Sequence, residues 1–369
     1  MKKIVIVLSS LQGGGAEKVA LTLYQGFASC PGVECHVVCL ENVIDHRLPE
    51  NIHLHILDLP KRNFLTAAFY KQWQARKIDN YILENIGMPD LVLSNLTNVD
   101  KLMKFSRLPV WHIIHNTTSV EYLSGKSVRE ATGIRKKLES IYKNHPVTCV
   151  SKGVMDDLKK NFSIQQPVRY IYNPVDVNAI EKLSYDDADK DLIDSYGDYI
   201  IHVGTFKEQK NHELLIKAYA LSDVREKLVL LGRAKGAVFD RVMNLIEQLG
   251  LQDKVVYCDF KSNPYPFMRR AKLFVLSSFY EGFPCVLLEA VALGVPVVST
   301  DCPSGPNELF GEEYRHCLSP VNDAKALAAN IRKALANPKH YTVPLRDEFR
   351  LESVVAQYMA LIDDAGKDR

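Results

Sequence analysis

The chain has 369 residues, 47% of them apolar and 24% charged, with a net charge of +2. That length suits two domains that each bury a core, and the composition is ordinary for a soluble globular protein. No apolar run approaches the roughly 20 residues of a membrane-spanning helix, and a near-neutral balance without a binding motif argues against nucleic acid.

The first apolar stretch, Ile4 to Leu8, is followed by Gly13-Gly14-Gly15 and Glu17, so it reads as a buried strand and not as a signal peptide. Short Val/Ile/Leu runs then alternate with longer amphipathic stretches, the pattern of parallel α/β architecture. In the first half, strands are expected at 3–9, 34–40, 53–57, 91–94, 109–115, 147–150 and 168–171, with helices at 16–28, 64–85, 99–105 and 154–161. The pattern breaks at Asn173-Pro-Val-Asp176, and the acidic run Asp186 to Asp191 reads as a linker. Alternation restarts with strands at 199–203, 227–231, 255–258, 273–276 and 295–299 and helices near 211–221, 238–249, 284–293 and 324–336. The segment 351–362 spaces Val354, Val355, Tyr358, Met359 and Ile362 along one helical face. Two doubly wound domains follow, with a ligand expected between them, outside the carboxyl ends of the strands.

Residues 1–180 hold 22 Lys+Arg against 16 Asp+Glu, and the remainder 24 against 28. The segment 61–77 carries Lys61, Arg62, Lys71, Arg76 and Lys77 without an acid, interleaved with Phe64, Leu65, Phe69, Tyr70 and Trp73. It either lies on an anionic membrane surface or is an ordinary surface helix with its aromatics in the core. The eight cysteines include no Cys-x-x-Cys pair and read as core thiols in a reduced cytosol. The 11 histidines are dispersed, and none is read as pairing with cysteine or acid at ligand spacing, so no metal is expected. Asp187-Ala-Asp189 has the form of a metal-binding Asp-x-Asp, but without a strand before it reads as solvated linker.

Four segments carry chemistry. Gly13-Gly14-Gly15-Ala16-Glu17 joins a strand to a helix, so the backbone of Gly14 and Gly15 can approach a phosphate at the helix N-terminus. It is neither Gly-x-Gly-x-x-Gly nor a P-loop. His115 ends a strand, where sites in such sheets are built, whereas His112 reads as a packing residue. Gly204-Thr205-Phe206-Lys207-Glu-Gln-Lys210-Asn211 joins a strand to a helix and offers cations to a diphosphate. Gly232 and Arg233 follow the next strand and could line a nucleotide pocket. In the fourth, Glu281-Gly282-Phe283-Pro284-Cys285-Val286-Leu287-Leu288-Glu289, a loop carboxylate and a helix carboxylate flank a helix N-terminus. That arrangement suits an anion bordered by hydroxyls, such as a nucleotide sugar.

Glu281 to Glu289, with Gly294-Val-Pro296 after it, resembles the paired-glutamate signature of retaining glycosyltransferases of family 4. Gly14-Gly15-Ala16-Glu17 and Lys210-Asn211 resemble that family's other signatures in the same order. Thr205 stands where the family has arginine, so either Lys207 or the Thr205 hydroxyl replaces that phosphate contact. The resemblance implies a GT-B fold: two Rossmann-like domains facing across a cleft, at 1–175 on the acceptor side and 176–345 on the nucleotide-sugar side. Residues 346–369 then form a helix that packs back on the first domain. It further implies a metal-independent, cofactor-free, retaining enzyme of surface-glycan assembly. That enzyme is cytoplasmic or peripheral at the inner membrane face. It transfers a hexose or N-acetylhexosamine from a nucleotide-diphosphate sugar, UDP preferred, to a glycan or lipid-linked glycan acceptor. In that picture Glu289 takes the ribose hydroxyls. Glu281 with the Gly282 and Phe283 backbone holds the transferred sugar, Val286 and Leu287 also contact the substrate, Lys210 with Gly14 and Gly15 stabilises the leaving diphosphate, and His115 orients the sugar. The other readings are a sugar phosphorylase of the same fold, an NAD-dependent oxidoreductase, and a non-catalytic glycan or nucleotide binder.

Overall fold

The computed structural model describes residues 1–59, 67–234 and 236–365. The chain forms two compact units, one of Met1–Pro174 with Glu348–Arg369 and one of Val175–Asp347.

The strands of the first unit are β1 (Lys2–Leu8), β2 (Val33–Cys39), β3 (Leu54–Ile56), β4 (Leu91–Asn95), β5 (Val110–Ile114), β6 (Val147–Cys149) and β7 (Val168–Tyr170). All pair in parallel, in the order β3-β2-β1-β4-β5-β6-β7. Helices α1 (Gly15–Ala28), α2 (Ala67–Asn85), α3 (Thr97–Met103), α4 (Thr118–Leu123), α5 (Val128–Ile141) and α6 (Lys152–Asn161) connect them. Ile4 to Leu8 are wholly buried, because a parallel sheet is covered on both faces and its central strand needs no polar side. Val5, Val7, Val38 and Val92 pack with Ile78 and Ile82 of α2 and with Val99 and Met103 of α3. The strand order reverses between β1 and β4, so their carboxyl ends border the switch point, with β5 next beyond β4.

The second unit repeats the scheme with β8 (Tyr199–Val203), β9 (Lys227–Leu231), β10 (Val255–Cys258), β11 (Leu273–Leu276), β12 (Val297–Thr300) and β13 (Leu318–Ser319). Their order is β10-β9-β8-β11-β12-β13, again parallel, with the switch point between β8 and β11. Its helices are α7 (Val177–Ser184), α8 (Lys190–Asp194), α9 (His212–Ser222), α10 (Gly236–Gln248), α11 (Tyr265–Arg270), α12 (Cys285–Ala292), α13 (Pro306–Phe310) and α14 (Ala324–Ala336). The chain ends in α15 (Leu351–Ala365), which packs on α1 within the first unit. Gly26 makes that approach possible: a Cβ there would lie 2.5 Å from Val355 Cγ2.

Several stretches differ from the sequence reading, among them the run 186–191 and helix α5. The run 186–191 is not a bare linker. Asp186 Oδ1 accepts from Ala188 N at 3.0 Å, Asp189 Oδ1 accepts from Lys261 Nζ at 2.6 Å, and α8 starts at Lys190. The acids there brace a turn and pair with a cation, so their density did not signal a solvated connection. Helix α5 was passed over although Ser127 and Glu130 form a capping box at its start. Among the described residues no helix is long and apolar enough to cross a membrane.

Candidate active site

In the second unit the site is built on the loops leaving β8 and β11. Lys210 Nζ donates to Glu281 Oε1 at 2.7 Å, and Ser278 Oγ donates to the same oxygen at 2.6 Å. Gln209 Nε2 reaches the other carboxylate oxygen at 3.4 Å and the carbonyl of Tyr280 at 2.9 Å. Glu281 is 5% exposed, so this cation–carboxylate pair is largely withdrawn from solvent. Backbone stitches hold the two loops together: Phe279 N donates to Gln209 O at 2.8 Å and Ser277 Oγ to Lys210 O at 2.8 Å.

The residue after the lysine explains the Lys-Asn pair. Asn211 has φ 48° and ψ 51°, a left-handed conformation that asparagine tolerates, and its side chain caps α9 by accepting from Leu214 N at 3.3 Å. That turn lets Lys210 sit on the loop while α9 starts at once.

From Glu281 the chain runs through Gly282 and Phe283, both buried, to Pro284 at the head of α12. Glu289 is the fifth residue of α12 and is also 5% exposed. Val286 is half-buried, whereas Leu287 is wholly buried and packs in the core, leaving only its backbone for a ligand. The loop before α13 closes on this turn. Gly305 has φ 91°, and a Cβ there would lie 2.9 Å from Gly282 O and 2.6 Å from Pro284 Cδ. Only glycine fits.

Gly232 plays the matching part after β9, where a Cβ would fall 2.1 Å from Gly204 O. Its neighbour Arg233 lies over the Phe260 ring at 4.8 Å. Thr205 is half-buried and Lys207 is exposed. Beneath the loop, His202 Nδ1 donates to Val275 O at 2.8 Å, and His212 stacks on Phe206 at 4.1 Å. Burial pushes His202 down to about 4 and His212 to about 2, so both rings are neutral supports. Ser278, Gln209 and this pair of histidines were not singled out from the sequence. The available signal was the polar Ser277-Ser278 directly after an apolar strand.

In the first unit His115 follows β5 directly. Its Nε2 donates to Asn95 Oδ1 at 3.0 Å, while the Asn95 amide donates to Leu93 O at 3.2 Å. That leaves Nδ1 of the ring as an acceptor. Part of the residue reaches solvent, yet its surroundings hold the imidazole down to about 4. His115 and Asn116 line a pocket of about 220 Å³ with Leu96, Thr97, Asp100 and Tyr122. Leu96 has φ 71°, a conformation that strains a branched side chain, at the wall of this pocket. A larger depression of about 420 Å³, lined by Arg169, Tyr170 and Gln357, lies at the β7 edge, away from these strand ends. His112 is wholly buried, its Nδ1 2.8 Å from Asp100 Oδ1, as a packing histidine should be.

Of the glycine loop, Gly14 is the N-cap of α1 and Gly15 its first residue. Gly13 N donates to Asp45 Oδ2 and Gly14 N lies against His46 Nε2, each at 3.2 Å. A phosphate reaching the Gly14 amide would have to displace His46. Elsewhere in this unit three potential ligands come together. Glu34, His36 and His53 place one ligand atom each within 4.8 Å of one another. Glu34 and His36 are two apart on one strand and so share a face, a spacing the sequence reading overlooked.

Two parallel-sheet units with polar and charged loops at their switch points define the GT-B class of glycosyltransferases. Over its whole length the chain is similar in fold to sucrose-phosphate synthase from Thermosynechococcus elongatus, with TM-score 0.80, 19% identity and 100% of both chains covered. It is similar likewise to Anabaena HepE solved with UDP and glucose, with TM-score 0.76, 17% identity and 100% and 99% covered. The family model for glycosyltransferase family 4 matches residues 13–179, and that for glycosyl transferases group 1 matches 186–349. The chain is 31% identical, over 92% of both lengths, to the N-acetylgalactosamine-N,N'-diacetylbacillosaminyl-diphospho-undecaprenol 4-alpha-N-acetylgalactosaminyltransferase of Campylobacter jejuni. This protein belongs to glycosyltransferase family 4, and it is a glycosyltransferase.

Proposed function

We propose that this protein transfers an N-acetylhexosamine or hexose from a UDP-sugar to a lipid-linked glycan during assembly of a bacterial surface glycan, with retention and without a catalytic metal. The observation that carries the transfer chemistry is the Lys210–Glu281 pair, fixed by Ser278 and Gln209 at the carboxyl ends of β8 and β11. The lipid-linked acceptor rests on likeness to the Campylobacter jejuni enzyme, whose name specifies a diphospho-undecaprenol acceptor.

In this reading Lys210 opposes the charge that grows on the departing diphosphate. Glu281, held by Lys210, Ser278 and Gln209, accepts hydrogen bonds from sugar hydroxyls. Glu289 accepts from the ribose hydroxyls, and the glycines at 232 and 305 let the backbone loops close around the nucleotide. His115, neutral with Nδ1 as acceptor, takes a hydrogen bond from a sugar hydroxyl. The leaving phosphate receives the acceptor's proton on the same face, so the reaction calls for no separate protein base.

The basic aromatic segment supports placement at a membrane surface. Phe69 is 77% exposed and Trp73 41%, with Tyr70 stacked on Trp73 and Lys77 over its ring at 4.2 Å. Burial lowers the Lys101 and Lys104 ammonium groups, and Lys71 beside them adds to it, together with Lys137 at Lys101. Residues Lys61, Arg62, Phe64 and Leu65 lie outside the described residues.

The test is a thermal-shift screen with UDP, GDP and their sugars, followed by transfer assays on polyprenyl-diphosphate saccharides with EDTA present. UDP-sugars should stabilise the protein by mass action, and the product should carry the donor's anomeric configuration by NMR. Stabilisation by GDP alone, an inverted product, or transfer that needs added Mg²⁺ each overturns the corresponding part.

A further inference from the structure

We infer that Glu34, His36 and His53 form a binding site for one divalent transition-metal ion of the zinc type, separate from the transfer site. Glu34 and His36 project from one face of β2. His53 immediately precedes β3, and the parallel register that pairs Val37 with Leu54 brings His36 opposite His53. The site therefore lies toward the amino ends of the edge strand β3 and its neighbour β2, whereas the sugar-transfer loops leave carboxyl ends.

Three features go beyond mere proximity. His36 is 6% exposed, and its Nε2 lies 3.2 Å from Glu34 Oε1. The ring nitrogen and the carboxylate oxygen thus face a common point, where a metal ion would replace the proton between them. The opposite side of the same ring is engaged: His36 Nδ1 lies 3.1 Å from His55 Nε2, and His55 Nδ1 lies 3.1 Å from Tyr81 Oη. When a metal takes the Nε2 lone pair, the proton of His36 moves to Nδ1, which donates to His55 Nε2, and His55 Nδ1 donates to Tyr81 Oη. This is the outer-shell support that orients a metal-binding imidazole.

The other two ligands are held as well. Lys3 Nζ lies 3.8 Å from Glu34 Oε2, leaving Oε1 toward His36. The backbone of His53 is anchored through its N–H to Tyr24 Oη at 3.0 Å, while its exposed ring can rotate. Bonds of about 2.0–2.2 Å around a tetrahedral ion place ligand atoms roughly 3.3–3.5 Å apart. The His36–Glu34 separation already meets that, and rotation of His53 supplies the rest. Two imidazoles and one carboxylate suit zinc, cobalt or nickel better than calcium or magnesium, which favour oxygen ligands. A water completes the fourth position.

The test is titration of metal-free full-length protein with Zn²⁺, read by calorimetry and by the melting temperature, with Mg²⁺ as the control. Wild type should bind one equivalent and melt higher with Zn²⁺, while Mg²⁺ does nothing. His53→Ala, an exposed change that leaves the fold alone, should abolish this saturable binding. Glu34→Gln should weaken it at least about 10-fold, and His55→Phe, which removes the outer-shell partner, about 10–100-fold. Absence of saturable Zn²⁺ binding by folded wild type overturns the site. So does binding that survives His53→Ala unchanged, which would place the ion on the cysteines or other groups.

Discussion

Lys210 and Glu281 stabilise each other before any ligand arrives, and that double duty shapes what a substitution does. Lys210→Ala takes the cation from a carboxylate that is 5% exposed and leaves it the neutral donors Ser278 and Gln209. Removing one partner of a buried pair typically costs about 3–5 kcal/mol. Turnover should fall by on the order of 10²-fold or more, because the lysine also opposes charge in the transition state. Single-turnover assays beside thermal melts separate the two effects; a mutant that melts lower yet turns over normally would remove Lys210 from catalysis. Glu289→Gln should instead act on binding, weakening UDP by about 1.5–3 kcal/mol through loss of charge-assisted hydrogen bonds. Titration calorimetry with UDP on both proteins reads this directly, and equal affinities would take Glu289 out of the nucleotide site.

At the level of elements, function depends on loops pressed against one another at strand ends. Gly305 sits at φ 91° with Gly282 O and Pro284 Cδ where a side chain would go. Gly305→Ala should therefore push the loop before α13 away from the head of α12, cost roughly 1–3 kcal/mol of stability, and weaken UDP binding. Melting and calorimetry on this variant check both parts, and a fully stable protein with unchanged affinity contradicts the assigned close approach. The basic segment 61–77, whose described part lies in α2, gives the other prediction of this scale. Changing Lys61, Arg62, Lys71, Arg76 and Lys77 to Gln should release the protein from anionic vesicles at low salt. Each cation near such a surface contributes roughly 1 kcal/mol and is screened by salt. Vesicle sedimentation distinguishes the outcomes; wild type that stays in the supernatant makes α2 an ordinary surface helix.

For the whole molecule, acid should be destabilising in a definite window. His115, His145 and His202 are held down to about 4 and His212 to about 2, in each case mainly by burial. Unfolded, each would titrate near 6.5. Between those values the unfolded chain binds more protons than the folded one, so stability falls as pH drops from about 6.5 toward 4. Melting temperatures measured from pH 7.5 to 4.5 should decline below about 6, and a flat profile would mean that these rings are not buried neutral in solution.

Strand and helix periods are local properties, and so the alternating α/β plan, the strand at 199–203 and the helix at 324–336 could be read directly from residue order. The Glu281-Gly-Phe-Pro turn into α12 was legible for the same reason, since a permissive glycine and a helix-starting proline act on their immediate neighbours. Helix α5 and the caps of α7 were equally local but went unread, because capping signals are single residues without a period. What residue order could not disclose were pairings made by sheet topology. Lys210 meets Glu281 across 71 positions because β8 and β11 are neighbours at the strand reversal. His36 meets His53 because β2 and β3 pair in one particular register. The sequence by itself determined the elements and the kinds of residue at their ends; the tertiary structure decided which ends meet, since strand order and register are set by packing over the whole sheet and by no local stretch of chain.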